Sequence, residues 1–99
     1  SELRQDFIHA HGVFLSALGI TGAHLLAADP GGWRKRLKKL STIDWNRSNT
    51  ELWEGRAMVH GRISKARTNI LLTSTVIKKA LGLELTGEEQ QLETDRNER

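Results

Sequence analysis

The sequence predicts an all-α fold, a single small helical bundle of four to five helices, and three observations lead there. Side chains at Leu3, Phe7, Ala10, Phe14, Ala17, Thr21 and Leu25 recur at steps of three and four, the repeat that lines one helical face. Ile70, Thr73, Val76, Ile77, Ala80 and Leu81 form a second such arc, closed by Gly82 in the usual C-terminal stop position. No stretch shows a convincing strand pattern, and no internal repeat divides the chain. At 99 residues the chain has room for one core.

A second stripe runs beside the first, through Ile8, Gly12, Leu15, Gly19, Gly22 and Leu26, and its small residues would let another helix approach closely. Each glycine costs about 1 kcal/mol relative to alanine inside a helix, so a break is expected near Gly19 to Gly22. Residues 7–28 carry no Asp, Glu, Lys or Arg and are long enough to span a bilayer. Three histidines, three glycines, a serine and a threonine dilute that stretch, however, so a buried core helix is expected and no membrane role.

Asp29 and Pro30 read as an N-cap and first helical position, opening a second helix. On it Trp33, Leu37 and Leu40 share a face, while Arg34, Lys35, Lys38 and Lys39 take the opposite arc and Arg36 flanks the stripe. Ser41 with Asp44, and Ser48 with Glu51, both fit the capping-box spacing. The second fit predicts a short helix from about Asn49 to Trp53 or Glu54, closed by Gly55. Residues 56–66 are expected as loop or a short turn of helix, and Arg67 to Leu81 as a long helix whose Lys78 and Lys79 suit its dipole. Thr86 with Glu89 makes a further capping box for a short acidic helix, with residues 90–99 expected as a frayed tail that ends in Thr94-Asp-Arg-Asn-Glu-Arg99, where nothing apolar remains to bury.

Chemistry-bearing patterns are sparse. The chain has no cysteine, which removes disulfides, thiolate catalysis and cysteine-ligated zinc, and fits a reducing cytoplasm. His9 and His11 fall on different helix faces, His24 and His60 lack a carboxylate at ligand spacing, and no metal or cofactor is expected. Nucleophile elbows and glycine-rich phosphate loops are missing too, so the domain by itself is not expected to be an enzyme. The chain starts at Ser1, which suggests a piece of a longer protein.

Charge is the informative feature. Residues 31–79 hold twelve basic and three acidic groups, a balance of +9, whereas residues 1–30 stand at −2 and residues 80–99 at −4. A basic block between acidic ends suits a polyanion such as DNA. The candidate DNA-binding residues are Arg34, Lys35, Arg36, Lys38, Lys39, Arg47, Arg62, Lys65 and Arg67, while Arg56 is expected to brace the fold through Asp44, Glu51 or Glu54. Five phosphate contacts would give a log–log salt slope of about −4.5 on duplex DNA. A solvated cationic face is the plainer meaning of the same residues.

Asp44-Trp45, Arg47-Ser48-Asn49, Trp53-Glu54-Gly55-Arg56, Gly61-Arg62, Asn69, Leu81-Gly82-Leu83 and Glu88-Glu89-Gln90 mark a stretch, residues 43–90, that resembles the C-terminal region of the DndB family of DNA sulfur modification proteins. Residues 1–40 share only its general character. The resemblance implies a bacterial phosphorothioation system, in which other proteins exchange a non-bridging backbone oxygen for sulfur, and it implies DNA binding and transcriptional control of that system. The DGQHR motif of the family's N-terminal part does not occur here. Asp44, Trp45, Ser48, Glu51, Trp53, Glu54 and Arg56 read as a structural signature, Trp45 and Trp53 anchoring the short helix to the long ones.

Two functions are therefore expected in order. The first is a helical C-terminal domain of a DndB-like transcriptional regulator that offers a basic surface to DNA. The alternative is a structural, protein-interaction or oligomerisation module that packs against its own N-terminal domain or a second copy without touching DNA.

Overall fold

A computed structural model describes residues 7, 8 and 11–97. Leu3 and Ala10 of the first predicted stripe, and His9, lie outside them. Five α-helices and one minimal hairpin make up the described chain: α1 (Gly12–Ala28), α2 (Trp33–Leu37) running into a 3-10 turn (Lys38–Thr42), α3 (Thr50–Trp53), β1 (Met58–Val59), β2 (Arg62–Ile63), α4 (Arg67–Leu81) and α5 (Gly87–Asn97). The fold is all-α in class, as predicted.

Helix α1 buries Val13, Ala17, Thr21 and Leu25, one residue per turn, and lays that line against α4. It runs unbroken through Gly19 and Gly22, so the expected break is absent. The small-residue stripe starts in the core at Ile8, but from Leu15 on it is not a helix contact. Nothing lies within 4 Å of where a Cβ would stand at Gly19 or Gly22, and Leu15 and Leu26 are 67% and 53% exposed.

Helix α2 begins three residues later than Asp29 and Pro30 predict. The Asp29 carboxylate does accept a backbone amide three residues on, from Gly32 at 2.8 Å, but it closes a turn through Pro30 and Gly31, with Gly32 as the helix N-cap. Trp33, Leu37 and Leu40 pack half-buried on the cluster of Ala17, Leu25, Ile77 and Leu81, as their spacing predicts. Ser41 lies within the 3-10 turn instead of opening a helix, its hydroxyl donating to the Lys38 carbonyl at 2.9 Å.

Helix α3 is capped one residue later than predicted: Asn49 Oδ1, not Ser48, accepts the Leu52 amide at 3.2 Å. Gly55 turns the chain with φ +83°, and a hairpin follows where the sequence suggested loop or a turn of helix. Met58 pairs with Ile63 and Val59 with Arg62 around His60 and Gly61, whose φ values of 53° and 77° match the two left-handed positions of a type I′ turn.

Helix α4 has the predicted bounds. Gly82 sits at φ +75°, with its amide donating to Lys79 O at 3.2 Å and the Leu83 amide to Lys78 O at 2.9 Å, the two bonds of a Schellman stop. Thr86 and Glu89 form the predicted reciprocal capping box, at 3.2 and 2.8 Å. Helix α5 then continues to Asn97 instead of fraying at 90, because Glu89 and Glu93 are buried against α4 and Arg56. Glu98 and Arg99 lie outside the described residues. No described helix is long and apolar enough to cross a membrane.

Candidate nucleic-acid interface

The residues of the structural signature build one hub. Trp53 is fully buried and Trp45 half-buried, and their rings stack with centroids 5.6 Å apart and planes at 17°. Phe14 of α1 meets Trp45 edge-on at 5.0 Å. Both indoles place their N–H groups on carbonyls, Trp45 on Leu40 at 3.0 Å and Trp53 on Asp44 at 2.8 Å, so neither donor is wasted on burial. The Asp44 carboxylate accepts the Asn46 amide and the Asn49 side chain, at 3.1 Å each. Glu54 accepts the amides of His60 and Gly61, tying α3 to the hairpin turn. Glu51 and Ser48 stay exposed.

Arg56 braces the fold, but not through the carboxylates expected of it. Its guanidinium forks onto Glu93 of α5, Nε to Oε1 at 3.1 Å and Nη2 to Oε2 at 2.6 Å, and Nη1 donates to Leu52 O at 3.0 Å. Asp44, Glu51 and Glu54 were nearer in sequence, which made them the natural expectation. Glu93 is 37 residues away, and no local pattern points to it.

Of the nine candidate DNA residues, three are bonded within the fold and six are not ion-paired among the described residues. Arg36 is taken up by the fold: Nε donates to Asp29 at 2.7 Å and Nη1 to Leu81 O at 2.9 Å, closing the C-terminal end of α4. Arg67 is exposed yet forked onto Glu88, at 2.8 and 2.7 Å. Arg47 is half-buried and donates to Gly61 O at 2.6 Å, which sets it beside the hairpin turn that leads into Arg62.

Arg34, Lys35, Lys38, Lys39, Arg62 and Lys65 remain, all exposed and without an ion pair among the described residues. Four of them sit within six residues of α2 and its 3-10 turn. Arg34 lies over the Trp33 ring at 5.1 Å, a cation–π contact that holds the guanidinium close to the surface. Lys35 and Lys39 line, with Arg36, a shallow groove of about 320 Å³ against Leu81 and Gly82. Lys65 folds over Gly12, its Nζ 3.0 Å from where a Cβ would stand.

Sequence reasoning missed the charged interior. Lys78, read as a helix-dipole residue, is fully buried and donates to Glu89 Oε1 at 2.6 Å, while Ser74 Oγ donates to Glu89 Oε2 at 2.8 Å. Thr75 donates its hydroxyl to Glu93, and Lys79 Nζ stands 3.9 Å from the same carboxylate. Burial pushes both glutamates up, yet Lys78, the Thr86 amide and Ser74 hold Glu89, and Arg56 and Thr75 hold Glu93, below the ordinary carboxyl value. Among the described residues no three His, Asp or Glu stand together as a metal site.

A small helical domain that buries two glutamates, Glu89 and Glu93, against its own cations and keeps four further cations of α2 and its 3-10 turn in water is the class that fold and surface define. The chain belongs to the DndB family, described as DNA-sulfur modification-associated, whose model matches residues 1–84. That match extends the resemblance to the N-terminal forty residues and stops before α5. No curated protein and no solved structure matches the chain significantly.

Proposed function

We propose that this domain binds the DNA backbone through α2 and its 3-10 turn as part of a DndB-like regulator of DNA sulfur modification, in the bacterial cytoplasm, with no catalytic step of its own. The observation that carries the reading is the exposure of Arg34, Lys35, Lys38 and Lys39 side by side, with no carboxylate paired to them among the described residues. Four phosphate contacts give a log–log salt slope of about −3.6. Such contacts position a protein on a duplex without reading its sequence. Titrating the chain with duplex DNA at two salt concentrations, beside R34Q/K35Q/K38Q/K39Q, tests it. Absent binding at low salt, or a variant that binds as the parent does, ends the proposal.

The apolar outer side of α1 favours a second reading. Leu15 and Leu26 stand in water beside Gly19, Ala23 and Ala27 on a helix without a single charge, a surface that suits contact with the rest of a longer protein or a second copy. A chain that sediments as a monomer while binding DNA counts against it.

A further inference from the structure

Helix α5 is held by charge far more than by apolar burial. Its buried residues are Glu89 and Glu93, with Leu92 half-buried beside them. Each carboxylate lies in a set of converging donors supplied by the rest of the chain. Glu89 meets Lys78 Nζ and Ser74 Oγ, at 2.6 and 2.8 Å. Glu93 meets the Arg56 fork and the Thr75 hydroxyl, with Lys79 at 3.9 Å. On the outer edge Glu88 holds Arg67 in a fork.

An ammonium and a guanidinium fork facing two oxyanions are also the groups that bind phosphate, and the Ser74 and Thr75 hydroxyls beside them, each also 2.6 Å from the carbonyl three residues back, have one proton apiece to give. Along α4, Ile70 and Ile77 pack on the cluster that includes Ala17 and Leu25 of α1, whereas Ser74, Thr75 and Lys78 meet α5, on the same helical arc as the buried Leu71. A helix face built only to be covered would be apolar. We propose that Ser74, Thr75 and Lys78 of α4, together with Arg56, form a phosphate cradle for the DNA backbone, which α5 fills in the closed state as an intramolecular acidic clasp.

This rests on the DNA reading above and adds a control to it. In the closed state four cations of the basic block, Arg56, Arg67, Lys78 and Lys79, are paired to α5. Release hands all four to a polyanion, beside the six that are exposed already. Binding and release are reciprocal: DNA that engages the cradle lowers the affinity of α5 for it by the same factor that removing α5 raises the affinity for DNA. The family match, residues 1–84, contains every side chain of the cradle and ends before the helix that occupies it.

The test uses the full chain with E88Q/E89Q/E93Q, against E51Q/E84Q/D95N, which removes the same charge at exposed positions outside these pairs. Amide exchange across 87–97 and 67–81, and affinity for a duplex at fixed salt, are read on both. The clasp variant is expected to lose protection in 87–97 while 67–81 keeps it, and to gain about tenfold in DNA affinity, against about twofold for the charge-matched control. Equal gains, or loss of protection in both helices with no gain, overturn the clasp while leaving the DNA reading intact. Absent binding by parent and variants alike overturns both. If the triple variant unfolds, E88Q, which breaks only the exposed Arg67 pair, is compared with E84Q, which removes the same charge outside these pairs: a gain about twofold larger for E88Q is expected, and equal gains overturn the clasp.

Discussion

Lys78 Nζ donates to Glu89 Oε1 across 2.6 Å, and neither side chain meets water, at 0% and 1% exposure. Taking two charges out of water is costly, so the pair gives far less net stability than its short distance suggests, but losing one partner strands the other. K78M is expected to cost about 3–5 kcal/mol, and K78M/E89L much less than the sum of its single variants. Urea denaturation of the four proteins in that cycle measures the coupling.

Acid should loosen the same interior. Because Glu89 and Glu93 titrate below the ordinary 4.5 when folded, the unfolded chain takes up protons first as pH falls. Their contribution is therefore complete above that value and is lost as pH drops through the lowered folded values. The urea midpoint is expected to hold between about pH 6 and 5 and to fall steadily below about 4.5. E89Q/E93Q, already weakened, should show a flatter acid limb.

Much of this fold was legible because apolar spacing reports apolar packing. Arg67 to Leu81 and the Gly82 stop lie where the sequence puts them, and the Trp33, Leu37 and Leu40 stripe packs as expected. The expected frayed tail is a helix for the same reason: α5 docks through Glu89 and Glu93, and a carboxylate core leaves no apolar periodicity in the sequence. The hairpin hides because its strands are two residues each, and only the His60-Gly61 pair hints at its turn. At the candidate site the sequence named the cations but not their partners. Arg36 flanks the apolar stripe, but nothing local in the sequence tells that it is committed to Asp29 and Leu81 O, or Arg67 to Glu88.

The tryptophan stack should carry a large share of the stability. W53A empties a fully buried site and is expected to cost about 3–5 kcal/mol. W53F keeps most of the volume but leaves the Asp44 carbonyl without its indole donor, and should fall between parent and W53A. Thermal unfolding followed by far-UV circular dichroism ranks the three.

Arg36 and Gly82 act on one helix end. R36A removes the donor from Leu81 O and should cost about 1 kcal/mol. G82A forces an alanine to φ +75° and sets its Cβ 3.4 Å from Arg36 Nη1, for a cost of about 1 kcal/mol or more. Since the new methyl meets the guanidinium itself, R36A/G82A should lose less than the two costs summed. Chemical denaturation of the double variant checks this.

The central claim is that the exposed cations of α2 and its 3-10 turn, and not the basic composition as a whole, hold DNA. The most direct measurement is the salt dependence of duplex binding by R34Q/K35Q/K38Q/K39Q, with R36Q alongside as a variant that removes a cation already committed to Asp29 and Leu81. The quadruple variant is expected to flatten the log–log slope by about 3 to 4, and R36Q by less than about 1, with both proteins still folded. A quadruple variant whose slope equals the parent's would contradict the account.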